Sequence, residues 1–334
     1  MEQCMTQQKN ANGLLWKQEQ LSPLPIPTGQ PPSDVLGMIW RKNEVYLDIG
    51  SVSLAGGWVA CYLGTLIWTV ALVQVLFNLG YLMFFMFLFS AVTMMGFLWY
   101  GYVRIYLRPL MPPLRFHRQR REVRIVTPES EEWTVPWERV HAISPSTTMV
   151  GQFGAAKMGG LLLWFPYADQ IDEPFHINKE GWAVMVSPGP GVAAMRQWEC
   201  IRSFMEVGPE AVPEPAPIHN GHLSIWQSFV HDMREGVRTK GWLRTVAVDG
   251  FLSFLFNLFA LDYLTRKKFV VIPDLTSSEA IAWSKPLPPE QWAKPSPELE
   301  EAIAERERDL EAAEARSKLK TGLTVKQPET QGWT

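Results

Sequence analysis

Apolar residues concentrate in one continuous stretch in the first third of the chain. The 55 positions from 49 to 103 carry no charged side chain and consist largely of Leu, Phe, Val, Met, Trp and Tyr. A helix that crosses a hydrocarbon core of about 30 Å needs roughly 20 apolar residues, so this stretch is long enough for two helices and too long for one. The turn-prone triplet Asn78-Leu79-Gly80 divides it. The pattern predicts a two-helix transmembrane hairpin over residues 49–103.

The charges that follow the stretch predict its orientation in the membrane. Arginines follow it closely from Arg104 to Arg124, and Glu122 is the one acidic residue among them. Because loops on the cytoplasmic side carry an excess of Lys and Arg, this end of the hairpin is expected in the cytoplasm. We therefore expect a multi-pass protein of the bacterial inner (plasma) membrane with N- and C-termini cytoplasmic. Residues 1–48 then form a polar, Pro-rich cytosolic N-terminal segment.

Short alternating segments after the hairpin are typical of antiparallel β-strands. Val123 and Ile125, for example, alternate with polar neighbours, as residues of half-buried strands do. We expect strands at 114–117, 122–127, 132–137, 140–144, 160–165 and 174–177. Apolar residues at helical spacing from Ala194 to Met205 predict a helix after them. Strands closed by one helix have the element order of a pleckstrin-homology-like (PH-like) domain, predicted here for residues 104–210.

A second apolar segment, residues 246–264, is interrupted by charge. Asp249 and Asp262 leave few uncharged residues between them, which is short for a membrane span. Asp249, Ser253 and Asn257 form a narrow polar stripe, and basic residues flank the segment. This pattern favours a helix in the cytoplasmic membrane interface. Packing inside the protein and a third span are the two alternatives.

Membrane contacts are expected from basic and aromatic side chains beside the two apolar regions. Each basic residue near an anionic surface contributes about 1 kcal/mol of attraction. The candidate contacts are Arg115, Arg118, Arg120, Arg121, Trp242, Phe251, Phe256, Lys267 and Lys268.

The predicted architecture is therefore an α+β membrane protein. The transmembrane helical hairpin precedes a cytosolic antiparallel β domain closed by a helix. A helical segment over residues 211–295 follows, with membrane-proximal helices around the apolar segment, and residues 296–334 form a charged helical tail. In this tail Leu299, Ile303 and Leu310 are the large apolar residues of the first half, so we expect a solvated helix.

Sequence motifs for catalysis are absent from the chain. It has no Gly-x-Ser-x-Gly elbow, no His-Glu-x-x-His and no phosphate-binding loop that ends in Gly-Lys-Ser/Thr. His219 and His222, with His231, are the one conceivable metal-binding group, but a turn of this kind is more typical of a solvated loop. A net charge of -3 argues against a nucleic-acid partner. We expect a non-enzymatic protein without a metal or cofactor.

Two strand motifs and one helix carry a family resemblance. The segments 113–123 (PLRFHRQRREV) and 135–138 (VPWE), with the helix at 197–210, resemble an uncharacterised family of proteobacterial two-span membrane proteins. The resemblance covers residues 35–295 and implies a cytosolic PH-like strand domain, which is a domain of unknown function. Members have no established activity, and their genes are often found near type VI secretion effectors.

Two functions from different classes follow. The resemblance implies an immunity or accessory protein for a type VI secretion toxin, which acts in the inner membrane by binding a protein partner such as the secreted toxin. The alternative is a membrane-surface scaffold or lipid-binding regulator. In that case the PH-like domain and residues 246–264 contact the lipid bilayer.

Overall fold

The structure is a computed structural model that describes residues 11–12, 16–21, 24–35, 37–50, 54–78, 80–151, 154–170, 181–186, 189, 191–215 and 223–324. The chain divides into two compact units. The β unit comprises Met1–Ser51, Pro113–Pro213 and Leu275–Thr334, and the helical unit comprises Val52–Pro112 and Glu214–Asp274.

The β unit is built from antiparallel strands. In chain order they are β1 (Ala11–Asn12), β2 (Trp16–Gln20), β3 (Ile39–Lys42), β4 (Tyr46–Ile49), β5 (Leu114–His117), β6 (Glu122–Val126), β7 (Glu132–Pro136), β8 (His141–Gly151), β9 (Gly154–Gly159), β10 (Leu161–Pro166) and β11 (Gly181–Val186). One sheet has the order β3-β4-β5-β6-β7. The other has the order β1-β2-β8-β10-β11, with β9 paired to β8. We refer to them as the five-stranded and the six-stranded sheet.

The core of the β unit is formed by inward-facing strand residues and one helix, α3 (Val192–Glu206). Phe116 and Trp137 from the strand region and Trp198 from α3 are fully buried there. The Trp137 and Trp198 rings lie 5.2 Å apart between centroids. Burial of such side chains stabilises a fold by about 1.5–3 kcal/mol each. The helical spacing of its apolar residues puts them on one face of α3, and this face packs against the strands.

Most predicted strands are confirmed within one or two residues. The prediction at 114–117 matches β5, and those at 122–127, 132–137 and 160–165 match β6, β7 and β10. The strand predicted at 140–144 is longer in the structure and extends to Gly151. The prediction at 174–177 lies outside the described residues. The antiparallel α+β architecture is thus confirmed.

The N-terminal residues belong to the β unit, and the prediction of a separate segment over 1–48 is wrong in this respect. β4 pairs with β5, so that Ile49 lies opposite Leu114. The two apolar helices are therefore inserted between two paired strands of one sheet. Sequence pattern missed β3 and β4, since β4 takes as its partner β5, which lies beyond the insertion.

The helical unit contains the two predicted apolar helices. They are α1 (Ala55–Asn78) with 24 residues and α2 (Gly80–Leu107) with 28 residues, and both are long and apolar enough to cross a membrane. Gly80 has a φ of 76°, which glycine adopts without the steric cost of a Cβ atom. Phe77, Phe89 and Phe97 are 81%, 76% and 78% exposed. Large apolar side chains therefore point away from the protein along both helices.

The remaining helices divide between the two units. The helical unit also contains α4 (Ile225–Lys240), α5 (Trp242–Leu255) and α6 (Leu258–Lys268). The β unit contains α7 (Ser278–Trp283) and α8 (Pro297–Thr324). Single-turn 3-10 helices lie at Trp137–Arg139, Pro209–Ala211 and Pro289–Gln291.

The charged tail is helical over Pro297–Thr324, and the first part of this helix is not simply solvated. Leu299 is fully buried. The Nε atom of Arg306 donates a hydrogen bond of 3.1 Å to the carbonyl oxygen of Pro27. Leu310 also lies close to Gly29. α8 therefore contacts the N-terminal residues, which the sequence pattern treated as separate.

Candidate membrane-facing site

The apolar segment predicted as one helix over 246–264 is two helices joined by a sharp bend. The axes of α5 and α6 differ in direction by 66°. Asn257 lies at the bend in a left-handed conformation with a φ of 48°, and its Oδ1 accepts a hydrogen bond of 3.4 Å from the backbone N–H of Ala260. Asparagine is one of the few non-glycine residues that adopt this conformation readily. The bend is therefore encoded locally by Asn257.

Two side chains of α1 bind the bend. The indole N–H of Trp58 donates a hydrogen bond of 2.7 Å to the carbonyl oxygen of Phe256. The Nδ2 atom of Asn257 donates one of 2.9 Å to the hydroxyl oxygen of Tyr62. A break in a helix interrupts the regular backbone hydrogen bonds, and groups buried there need other partners. Trp58 and Tyr62 supply such partners.

These contacts lie at one end of the apolar hairpin, where α1 begins and α2 ends, which we call the open end. An aromatic cluster of Trp58, Tyr62, Trp99 and Tyr102 occupies it, with ring centroids 4.9 to 6.1 Å apart. Leu258, Leu261 and Leu264 of α6 pack against this cluster. The Nζ atom of Lys268 then donates to the carbonyl oxygens of Tyr106 and Arg108, at the end of α2. The whole of α6 is thus attached to the open end.

α4 and α5 form an antiparallel helical hairpin. The chain reverses at Gly241, which has a φ of 87°. Lys240 and Asp249 form an ion pair of 3.1 Å across the two helices. Closer to the middle, a Cβ atom on Gly236 would lie 2.8 Å from Cγ2 of Thr245, so the backbones approach closely there. At the far end the rings of Phe229 and Phe254 lie 5.9 Å apart.

The pattern of burial along α5 is the reverse of that in a helix of a soluble protein. Its buried residues are small or polar, namely Thr245, Gly250 and Ser253. Its large apolar side chains are exposed: Trp242 68%, Leu243 64%, Val246 58%, Phe251 59% and Phe254 62%. We call these five residues the apolar face of α5. A soluble helix normally buries its large apolar residues, so this face fits a partner or solvent that is itself apolar.

α4 has the opposite character on its outer side. Most of its exposed residues are polar or charged and include His231, Asp232, Arg234, Glu235 and Arg238, beside the exposed apolar residues Trp226 and Val237. The exposed surface of α4 is therefore mainly polar, whereas that of α5 is mainly apolar. A helical hairpin of this kind can lie along a membrane surface with α5 towards the acyl chains and α4 towards water.

The predicted membrane contacts that lie in the helical unit differ in exposure. Trp242 and Phe251 belong to the exposed apolar face, and Lys267 is also exposed. Phe256 is half-buried at the bend. Lys268 is engaged with the end of α2, as described above. The roles of Trp58 and Tyr62 were not predicted, although a polar asparagine in the middle of an apolar run was a signal that a partner should exist.

The arginines predicted as headgroup contacts are located in the β unit, and two of them are buried. Arg115 is 3% exposed and forms two hydrogen bonds of 2.6 Å with the carboxylate of Asp48. Arg121 is 8% exposed and pairs with Glu206 at 2.8 Å and with Glu138 at 3.2 Å. Since both guanidinium groups are used inside the unit, neither is presented to a lipid headgroup. The prediction for them is corrected accordingly.

Arg118 and Arg120 also contact the protein itself. The guanidinium of Arg118 lies 5.7 Å from the ring centroid of Trp292 and donates a hydrogen bond of 3.0 Å to the carbonyl oxygen of Val207. The Nε atom of Arg120 donates one of 3.1 Å to the carbonyl oxygen of Trp283. These side chains position neighbouring chain segments of the β unit.

Metal-binding geometry is not found in the described part of the chain, where no group of three or more His, Cys, Asp or Glu side chains could hold an ion. His219 and His222 lie outside the described residues.

Comparisons with protein-family models, with curated proteins and with solved structures found no match for this chain.

Proposed function

We propose that this protein is a non-enzymatic membrane-surface scaffold, anchored by α1 and α2 and docked on one leaflet by the α4–α5 hairpin. The observation that carries the proposal is the reversed burial pattern of α5, which exposes Trp242, Phe251 and Phe254 and buries Thr245 and Gly250. Acyl chains are the environment that such a surface fits best, because the neighbouring α1 and α2 have the same character.

An interfacial position of α5 and α6 is favoured over a third span by their contacts. Leu258, Leu261 and Leu264 of α6 pack on the aromatic cluster at the open end of the hairpin. Phe259 of α6 packs on Trp226 and Phe229 of α4. The charged outer side of α4 cannot enter hydrocarbon without a large free-energy cost, and α4 is paired with α5 along its length. The hairpin is therefore expected to lie along the interface instead of crossing it.

Charge strengthens this docking. Arg244 lies at the α4–α5 turn and Lys267 lies at the end of α6, and both are exposed. Attraction to anionic lipid contributes about 1 kcal/mol for each such residue. Full burial of an aromatic or aliphatic side chain contributes about 1.5–3 kcal/mol, so even partial insertion of the apolar face is the larger effect.

Our proposal puts the open end in the cytoplasm of a bacterial cell. Arg104 and Arg108 are exposed next to the end of α2, as the excess of basic residues on the cytoplasmic side requires. The β unit, whose sequence continues on both sides of the hairpin, is then cytosolic and available to protein partners.

An immunity or accessory role in type VI secretion stays a prediction that rests on the family resemblance alone. It requires that deletion of the gene makes cells sensitive to toxins of sibling cells.

The test of membrane docking uses the full-length protein in proteoliposomes. Cys61 and Cys200 are buried, so a Cys4→Ser background allows one environment-sensitive fluorophore to be attached at a new cysteine. Phe251→Cys reports on the apolar face, and Arg234→Cys on α4 is the matched control. We expect quenchers attached high on the acyl chains to quench the probe at position 251, and aqueous iodide to quench the probe at position 234.

Two results would contradict the proposal. Equal accessibility of both probes to iodide would show that α5 faces water or lies against protein in another way. Strongest quenching of a probe at Trp242→Cys by quenchers at the bilayer centre would show that the α4–α5 turn is deep in the membrane, as a spanning or re-entrant segment requires.

A further inference from the structure

A stretch of chain near the C-terminus covers the outer face of the five-stranded sheet. It comprises residues 275–296, and we call it the strap. It contains α7, the 3-10 turn Pro289–Gln291 and a proline-rich sequence in which Pro286, Pro288 and Pro289 occur close together. The strap thus consists of one short helix followed by a proline-rich segment.

The sheet face under the strap is polar. Antiparallel register places Tyr46, His117 and Glu122 in one row across β4, β5 and β6. It places Asp48, Arg115 and Arg124 in the next row. Alternate residues of the same strands, Leu47, Phe116 and Val123, point into the core instead. A polar sheet face ordinarily meets water, whereas Asp48 and His117 are 0% exposed here.

Trp283 anchors the strap on this face. Its indole N–H donates a hydrogen bond of 2.7 Å to Oε2 of Glu122. Its ring lies edge-on to His117 with centroids 4.9 Å apart, and the guanidinium of Arg124 lies 5.7 Å from it. Its carbonyl oxygen accepts the hydrogen bond from Arg120. A tryptophan that fills a pocket and uses its N–H is the usual energetic centre of a peptide-binding surface.

Further contacts recognise the main chain of the strap. Oε1 of Gln119 accepts a hydrogen bond of 2.7 Å from the backbone N–H of Leu287. The backbone carbonyl of Gln119 accepts one of 2.9 Å from the backbone N–H of Ala293. The carbonyl oxygen of Lys285 lies 3.4 Å from Nε2 of His117. Main-chain recognition depends little on side-chain identity, so another peptide of similar conformation can make the same bonds.

Side-chain contacts define which peptide fits. The carboxylate of Glu279 lies 3.1 Å from Nη2 of Arg124, and Nη1 of Arg115 donates 2.9 Å to the hydroxyl oxygen of Ser284. The fitting peptide therefore has an acidic residue four positions before a tryptophan, a serine directly after it, and a proline-rich continuation.

The strap is not part of the hydrophobic core of the β unit. The main core cluster, among the described residues, has its members between Leu21 and Val212, and the strap buries Leu275, Ala280 and Trp283 outside this cluster. Asp48 and Arg115 also pair with each other, so departure of the strap leaves this buried charge compensated. Polar interfaces of this type are typical of partners that can separate, in contrast to obligate apolar interfaces.

We propose that the outer face of the five-stranded sheet is a peptide-binding surface, which the strap occupies within the chain and which a Trp-bearing, proline-rich peptide of a partner protein occupies in its place. The inference rests on the proposed scaffold role and deepens it by naming a class of partner. Because the strap competes, the apparent affinity for a peptide in the native chain is reduced by the fraction of time that the face is covered.

The test measures binding of a fluorescent synthetic peptide, residues 277–294, to the full-length protein in detergent micelles. Trp283→Ala in the protein removes the anchor and releases the strap. We expect this variant to bind the peptide at least about tenfold more tightly than the native protein, since tenfold corresponds to about 1.4 kcal/mol of lost competition. The same peptide with Trp283→Ala should not bind, and Glu122→Gln added to the released protein should weaken binding.

Trp226→Ala is the matched control, because Trp226 is an exposed tryptophan of the helical unit and 59% of its surface is accessible. It should leave peptide binding as in the native protein. If Trp283→Ala fails to fold, Trp283→Phe keeps the ring, loses only the hydrogen bond to Glu122 and should show a smaller gain. No gain in a folded variant, or loss of the β-unit fold in both variants, would show that the strap is structural. Either result overturns the proposal without affecting membrane docking, which is measured in lipid.

Discussion

Trp58 donates the hydrogen bond of its indole N–H to the carbonyl oxygen of Phe256 over 2.7 Å. Trp58 lies in the first turn of α1, and Phe256 lies at the bend between α5 and α6. The bond holds this bend at the open end of the hairpin. The ring itself is 6% exposed, so the bond lies in a place where water competes little. The same position determines how α5 and α4 are presented.

Loss of this bond should loosen the bend. We expect Trp58→Phe to lower the free energy of unfolding by about 1–3 kcal/mol, because the Phe256 carbonyl then lacks a donor in a buried site. Thermal unfolding of the detergent-solubilised protein measures the effect. Trp226→Phe, an exposed tryptophan on α4, is the control and should have little effect. Equal melting temperatures for the native protein and Trp58→Phe would refute the role of the bond.

The left-handed backbone conformation of Asn257 leads to a second prediction. Asn257→Gly and Asn257→Ala both remove the hydrogen bonds to Tyr62 and Ala260. Alanine also carries a Cβ atom in the left-handed region, which costs about 1–2 kcal/mol, whereas glycine does not. We expect the alanine variant to be less stable than the glycine variant by about that amount in chemical unfolding. The reverse order would show that the φ of 48° is not maintained.

The buried ion pair of Asp48 and Arg115 gives a third prediction. Asp48→Ala leaves the guanidinium in the interior without this carboxylate, and the expected loss is about 3–5 kcal/mol. Asp232→Ala removes a carboxylate that is 59% exposed and should change stability by less than about 0.5 kcal/mol. The double variant Asp48→Ala with Arg115→Met should recover part of the loss in thermal unfolding. No recovery would show that the aspartate acts in some other way.

Two buried histidines make stability depend on pH. Burial lowers the pKa of His117 to about 4, with the charge of Arg120 acting in the same direction, and burial lowers the pKa of His141 to about 4, aided by Arg139. An unfolded histidine has a pKa of about 6.5, so between these values the unfolded chain binds more protons. The free energy of unfolding should therefore decrease as the pH falls from about 6.5 towards 4.

His117→Gln should reduce this slope, because it removes one of the two buried histidines. Chemical unfolding of the native protein and of this variant at several pH values measures the slope. If the slope of His117→Gln equals that of the native protein, His117 does not contribute to the pH dependence.

Local sequence pattern was enough for the elements that depend on neighbouring residues. The uncharged run predicted α1 and α2, because its length matches a span whatever the rest of the chain does. Alternation and helical spacing predicted β5 to its ends and the position of α3. For residues 246–264 the local pattern predicted one helix, whereas the structure has a bend at Asn257.

Long-range contacts decided the rest. β4 is a strand because it pairs with β5 across the inserted helices, and no local pattern contains that partner. Arg115 looks like a surface cation in sequence, but in the fold it lies opposite Asp48 and becomes buried. A guanidinium attracts a headgroup or an internal carboxylate by the same chemistry, and only the three-dimensional neighbour distinguishes them. Periodicity specifies which face of an element is apolar, whereas the partner of that face depends on how distant segments come together.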